Sequence, residues 1–255
     1  MKTVLAALDA TAAARPVLET ALGMGALTGA TVEAVHVRNR SVETPEQLAA
    51  QSGVTLRVID GEVEASLLDA VSAPEVVAAV FGARTTPGGR RPVGRTSLHI
   101  LRNASKPVVV VPPDVVGESR SSLRRLLVPL DGTVESSRAI AESLAPLVVA
   151  ETEIVVLHVF TVGTVPPTLD RPVRDLSLWG SEFLARFCDI ANRIELRTGS
   201  VGDNVADVCE QEAADLVVLS WSQDLSADHA AVIHDVLSRS SIPVLLLPVE
   251  RPTAG

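Results

Sequence analysis

The chain has 255 residues, a formal net charge of −9 and a mean hydropathy of +0.31, with 47% hydrophobic but only 2% aromatic residues. That balance excludes a general nucleic-acid binder, which needs cationic surface and stacking platforms. The apolar runs are short, such as VVAAVF and PVVVVPP, and never approach the roughly 18 residues that cross a bilayer. The length suits one large domain or two smaller ones, each able to bury an aliphatic core.

Residues 1–16, MKTVLAALDATAAARP, imitate a signal peptide, but Asp9 and Arg15 interrupt the short apolar stretch, so a first strand is predicted over 3–9. A helix from about 14 to 27 closes at Gly29, and TVEAVHV (31–37) is a second strand ending in His36-Val37. A short helix over 45–51, a strand over 56–60, a helix over 64–71 and the strand VVAAVF (76–81) follow. Short, continuously apolar strands alternating with helices predict a parallel α/β unit of five strands, with right-handed connections and helices on both faces.

After residue 81 comes a loop with four glycines (Gly82, Gly88, Gly89, Gly94) and four arginines (Arg84, Arg90, Arg91, Arg95) in an otherwise acidic chain. A helix then starts at Thr96 or Ser97, and the strand PVVVVP (107–112) completes the unit. Free N–H groups at that helix start would face the loop, an arrangement suited to an anion and most naturally a phosphate. The bland reading is a solvated surface loop.

The order then begins again. LLVPLDG (126–132) repeats the first strand, and Asp131 and His158 stand the same 122 residues beyond Asp9 and His36. IPVLLLPV (242–249) echoes KPVVVVPP, so two homologous domains are predicted over 1–113 and 124–250, joined by PDVVGESRSSL. The second copy is longer, mostly through residues 161–175, read as a loop before a helix near 176–187. Helices near 135–149, 204–213 and 230–238 and strands at 153–160, 193–198 and 216–221 fill the rest.

Several short patterns are discarded on order or spacing. GMGALTG (23–29) approximates a dinucleotide fingerprint, but it ends a helix and precedes a strand, the reverse of the required order. His229 and His234 are five apart and face different ways on a helix, so no zinc site is expected. Cys188 and Cys209 form no CxxC pair and are expected as core thiols in a reducing cytoplasm. No nucleophile has an identifiable base, and the expectation is a protein without catalysis.

The strand-end aspartates (LDA at 8–10, PLDGTVESSRAI at 129–140), the HV pairs at 36–37 and 158–159, the terminal strands and GSVGDNVADVCEQEAADLVVLS (199–220) together resemble the universal stress protein family in tandem form. The resemblance covers essentially the whole chain. It implies two tandem open parallel five-stranded sheets in the order 3-2-1-4-5, Rossmann-like and of the adenine nucleotide alpha hydrolase type. It places a nucleotide site where the first and fourth strands part, with ATP, accompanied by Mg, as the ligand. The positions expected at that site are Ala7, Leu8, Asp9, Val37, Gly82, Gly94, Thr96 and Ser97, with Arg84 and Arg95, which the family pattern does not call for, as charge-assisted partners for phosphate.

The family's glycine pattern, G-x2-G-x9-G-[ST], is altered here. Thr85 stands at the second glycine, and Arg95 separates Gly94 from Thr96. The second copy, SWSQDLSADHAAVIHDVL (220–237), has no glycine at all. Asp9 is expected either to bond the nucleotide or to cap the following helix; Asp131, with no glycine loop opposite, is expected to cap. Family precedent also implies that the strands at 107–112 and 243–248 pair across an intramolecular pseudo-dimer, with a homodimer and other protein partners as further assemblies. Two alternatives stay open: an interaction module whose pockets have decayed, and slow ATP hydrolysis.

Overall fold

The computed structural model describes residues 1–11, 13–38, 43–83, 93–112, 122–144, 151–160, 173–223 and 227–249. In the first half, strands β1 (Thr3–Ala7), β2 (Thr31–Val37), β3 (Thr55–Ile59), β4 (Val76–Gly82) and β5 (Val108–Val111) alternate with helices α1 (Ala14–Thr28), α2 (Glu43–Gln51), α3 (Val63–Ser72) and α4 (Arg95–Asn103). The second half repeats the series. Its strands are β6 (Arg125–Pro129), β7 (Glu153–Phe160), β8 (Arg193–Thr198), β9 (Leu216–Trp221) and β10 (Val244–Pro248), and its helices are α5 (Val134–Leu144), α6 (Val173–Phe187), α7 (Val201–Gln211) and α8 (Ala227–Arg239).

Each half has the strand order that the resemblance implied, and every pairing within a half is parallel. The terminal strands pair as expected and join the two sheets. β5 and β10 pair antiparallel, Val110 opposite Val244 and Val108 opposite Leu246, and fuse them into one ten-stranded sheet. The cause is legible in the strands themselves. VVVV of β5 is 0–3% exposed, and a run so apolar on both faces and one edge must be covered by another strand.

Side chains of α1, α2, α5 and α6 (Val17, Leu48, Ile140, Phe183) fill the core on one face of the sheet. Leu67, Ile100, Val205 and Val236 of α3, α4, α7 and α8 fill the other. Both cores draw on both halves. Near the seam, Trp221 Nε1 donates to the Leu101 carbonyl at 2.8 Å, and Gln223 Nε2 donates to the Ala104 carbonyl at 2.5 Å.

Helix starts deviate most from the sequence expectations. α6, α7 and α8 each begin about one turn early, and α4 begins at Arg95. Gly94 is extended (φ −72°, ψ 167°) and its N–H bonds the Ala83 carbonyl at 2.6 Å, which sets the entry one residue sooner. The expected end of the 135–149 helix and most of the 161–175 loop lie outside the described residues. The glycines of 23–29 serve packing and chain reversal. Gly29 ends α1 at φ 61°, and a Cβ on Gly25 would sit 2.8 Å from Val32 Cγ2.

At the amino-terminal end of β6–β8, Arg125 and Arg193 converge on Glu153, with Arg193 also bridging Glu195 and Glu212. The Arg125 hydrogen bond, then Arg193, hold the Glu153 carboxyl below its ordinary value. Its stabilising effect is therefore present above the usual carboxylate range and is lost as pH falls through the lowered value. These charges also blunt β8 against further strand addition.

Cys188 and Cys209 are buried and unpaired with each other. Burial, and then the nearby Asp189 charge, push the Cys188 thiol up to about 11. The native thiol should therefore resist iodoacetamide at pH 8 and be labelled readily once urea unfolds the chain. Because the folded value exceeds the unfolded one, the associated stability is complete below about 8.5 and declines as pH rises toward 11. Rapid labelling of the native protein at pH 8 would contradict this placement. No helix among the described residues is long and apolar enough to cross a membrane.

Candidate functional site

The carboxyl ends of β1 and β4 are adjacent, and the chain leaves them in opposite directions, toward α1 and toward α4. Such a divergence opens a crevice that helix N-termini face. Ala7 ends β1, Leu8 is buried, and Leu8 N–H bonds the Val35 carbonyl at 2.9 Å. Asp9 Oδ1 accepts from Thr11 N–H (3.0 Å) and from the Thr11 hydroxyl (2.6 Å), while Thr11 Oγ1 accepts from Ala13 N–H at 3.3 Å. That relay shapes the turn into α1, whose own N-cap, Ala13, makes no side-chain bond.

Gly82 ends β4 against α1. A Cβ there would lie 3.6 Å from Val17 Cγ2 and 3.8 Å from the Ala13 methyl, ordinary contacts, so nothing in the packing demands glycine at this position. The Ser97 hydroxyl, in the first turn of α4, donates to the Gly82 carbonyl at 2.7 Å and locks the helix onto the strand end. Gly94 caps α4 by its backbone alone, and Arg95 and Thr96 follow as its first residues. Val37 is buried at the end of β2. Arg84, with Arg90, Arg91, Gly88, Gly89 and Thr85, lies outside the described residues.

Two of the expected anion contacts are turned elsewhere. Arg95 Nε sits 2.9 Å from Glu64 Oε1, and the Thr96 hydroxyl donates to the same oxygen at 3.3 Å. Glu64 is 8% exposed, and its other oxygen, Oε2, has no partner among the described residues. In the sequence Glu64 reads as an ordinary first-turn acid; packing of α3 on α4 is what buries it.

The histidines have equivalent roles in the two halves. His36 Nδ1 donates to the Leu8 carbonyl and His158 Nδ1 to the Leu130 carbonyl, each at 2.8 Å. A carbonyl only accepts, so Nδ1 is the donor in both rings. His36 Nε2 is buried without a partner among the described residues. Asp131 repeats Asp9, its Oδ1 accepting from Thr133 N–H and hydroxyl at 2.9 Å each, and Thr133 Oγ1 in turn accepts from Ser136 N–H at 3.3 Å, so Asp131 supports the cap of α5 through Thr133.

The universal stress protein family model matches residues 122–248. The chain belongs to the universal stress protein family. A crystal structure of a functionally unknown protein from Pseudomonas aeruginosa PAO1 is similar at a TM-score of 0.70 and 11% identity, covering 98% of this chain and 93% of that one. A universal stress protein from Archaeoglobus fulgidus is similar at 0.65 and 18% identity, covering 97% and 96%. Both share the tandem fold over essentially the whole length. No curated protein sequence matches the chain.

This universal stress protein departs from its own first half at the β6–β7 mouth. Asp131, His158, Phe160, Trp179, Phe183 and Phe187 line a pocket of about 350 Å³, with Gly132, Glu182 and Arg186 completing it. The chain has only six aromatic residues, and four of them are here. Trp179, Phe183 and Phe187 recur every fourth residue on α6 and so share one face. That spacing was readable in the sequence, and low overall aromatic content concealed it. Gly132, at φ 82°, leaves room for Phe183: a Cβ would stand 3.1 Å from the ring.

Proposed function

We propose that the chain is a cytoplasmic binding module of the stress response that holds ATP or a related adenine nucleotide in the β1–β4 crevice without turning it over. The observation that carries this reading is a pair of bare helix starts. α1 and α4 both begin at the crevice, neither has a side-chain N-cap, and neither has an acid in its first turn. By contrast, α3, whose first turn lies beside that of α4, and α7, in the second half, are capped by Glu62 and Ser200 and carry Glu64 and Asp203 in their first turns. Two helix starts without side-chain caps of their own at one crevice favour a polyanion such as a nucleotide's phosphates, with Glu64 as the carboxylate it would displace at α4. Gly82 and Gly94 would let phosphate oxygens approach the backbone, and Arg95 would supply a charge-assisted bond once released from Glu64. The described residues hold no group of three metal-ligating side chains, so Mg would depend on the nucleotide's own oxygens.

One observation favours the alternative, an interaction module with a decayed pocket: Arg95 and Thr96 already have Glu64 as a partner. The two readings part on a simple experiment. Protein purified natively and then denatured should release an adenine nucleotide detectable by mass spectrometry. Stripped protein should melt higher with millimolar ATP, with no ADP formed on standing. No released nucleotide together with no thermal shift would leave the interaction reading standing, and steady ADP formation would overturn the non-catalytic one.

A further inference from the structure

The pocket between α6 and the β6–β7 mouth belongs to neither phosphate chemistry nor the first half's design. Asp131 and His158 have counterparts in Asp9 and His36, but the aromatic makers of the pocket have none upstream. Arg38 stands where Phe160 would be and pairs with Asp60 at 3.1 Å, Ala10 stands for Gly132, and α2 carries no aromatic residue. The glycine loop that could cradle phosphates is absent from 220–237. What replaces it is a set of rings in mutual contact. His158 lies 4.7 Å from Phe160 and 4.8 Å from Phe183, Trp179 is 5.0 Å from each of those phenylalanines, and Phe187 is 4.8 Å from Phe183. Phe160 and Phe183 are buried, whereas Trp179 and Phe187 remain partly open and form the accessible wall.

The polar groups around this wall are mostly acceptors. Asp131 and Glu182 are exposed carboxylates, and His158, whose Nδ1 donates to the Leu130 carbonyl, offers Nε2 as a lone pair when neutral. Burial lowers the His158 pKa, outweighing the opposing pull of the Leu130 carbonyl and of Asp131. Burial thus favours the neutral imidazole over the charged one. The single cation, Arg186, already lies with its guanidinium 5.1 Å from the Phe187 ring centroid. The pocket thus demonstrates with its own side chain the chemistry its wall favours, a cation against an aromatic face. Two carboxylates against one guanidinium leave the rim net negative.

We propose that this pocket is a second ligand site, specific to the second half, and that it takes a small organic cation: a protonated amine carried on an aromatic body. A cavity of about 350 Å³ lies within the range of small-molecule sites. The ring of such a ligand stacks on Trp179 and Phe187, and its ammonium reaches Glu182 and Asp131.

Isothermal calorimetry with phenethylamine and 2-phenylethanol tests the assignment on the full-length protein. Phenethylamine should bind, and the neutral alcohol, the same body without the charge, should bind at least roughly fivefold more weakly. Glu182→Gln, at an exposed position that leaves the core intact, should weaken the amine roughly threefold or more and leave the alcohol unchanged. Trp179→Leu should weaken it by roughly five- to thirtyfold; if that variant fails to fold, the Glu182→Gln comparison decides. Equal affinity for amine and alcohol, or no amine binding at all, would each overturn the proposal. None of these outcomes depends on whether the first half binds nucleotide.

Discussion

Truncation of Trp221 to alanine is expected to lower the unfolding free energy by about 3–5 kcal/mol, a large part of the roughly 5–15 kcal/mol that holds a domain folded. Trp221 ends β9 at 4% exposure, and its N–H satisfies the Leu101 carbonyl across the junction between the halves. Leu101 lies in the last turn of α4, where carbonyls have no partner within the helix. The substitution therefore opens a cavity and orphans an acceptor at once. Trp221→Phe separates the two effects: it retains much of the ring volume and should cost about 1–3 kcal/mol for the unmet carbonyl. Urea unfolding followed by circular dichroism reads both numbers. A loss below about 1 kcal/mol for the alanine variant would mean that the halves do not depend on this contact.

Gly94→Asp is expected to move stability and binding in opposite directions. Gly94 is the N-cap of α4, and its φ of −72° and ψ of 167° suit any residue. An aspartate there can accept from the free N–H groups of the first turn and should stabilise the protein by about 0.5–1 kcal/mol. The same carboxylate would occupy the donors assigned to phosphate and place a negative charge beside them. Affinity for ATP should fall by roughly tenfold or more. Melting temperature with and without ATP measures both effects in one series. Undiminished ATP binding in a stabilised variant would remove the α4 start from the site.

The sequence made the architecture readable because the same physics was written twice. Asp9 and Asp131, His36 and His158, and the two terminal valine- and leucine-rich strands recur in one order, and each pair has the same partner in space: a threonine, a carbonyl, a neighbouring strand. Local hydrogen bonding of this kind depends on residues close in the chain and survives as pattern. What pattern did not carry was burial created by distant packing. Glu64 looks like an exposed helix acid until α4 covers it, and only then does it compete for Arg95. The aromatic pocket was hidden for the same reason: Phe160 and Trp179 belong to different elements, and the residues between them carry no periodicity linking the two. The starts of α6 and α8 were misplaced because neither is announced by a capping residue with an acid three positions on.

The antiparallel seam between β5 and β10 has a directional consequence. Every strand of the first half runs one way across the sheet and every strand of the second half runs the other. The crevice after β1 and β4 therefore opens at one end of the molecule, and the aromatic pocket after β6 and β7 opens at the opposite end. Two occupants could be held at once without touching or repelling one another. Any influence of one on the other must be transmitted lengthwise, through a backbone-bonded slab with α4 running from the first mouth to the central seam. The two sites lie at opposite edges of one slab, each with its own chemistry.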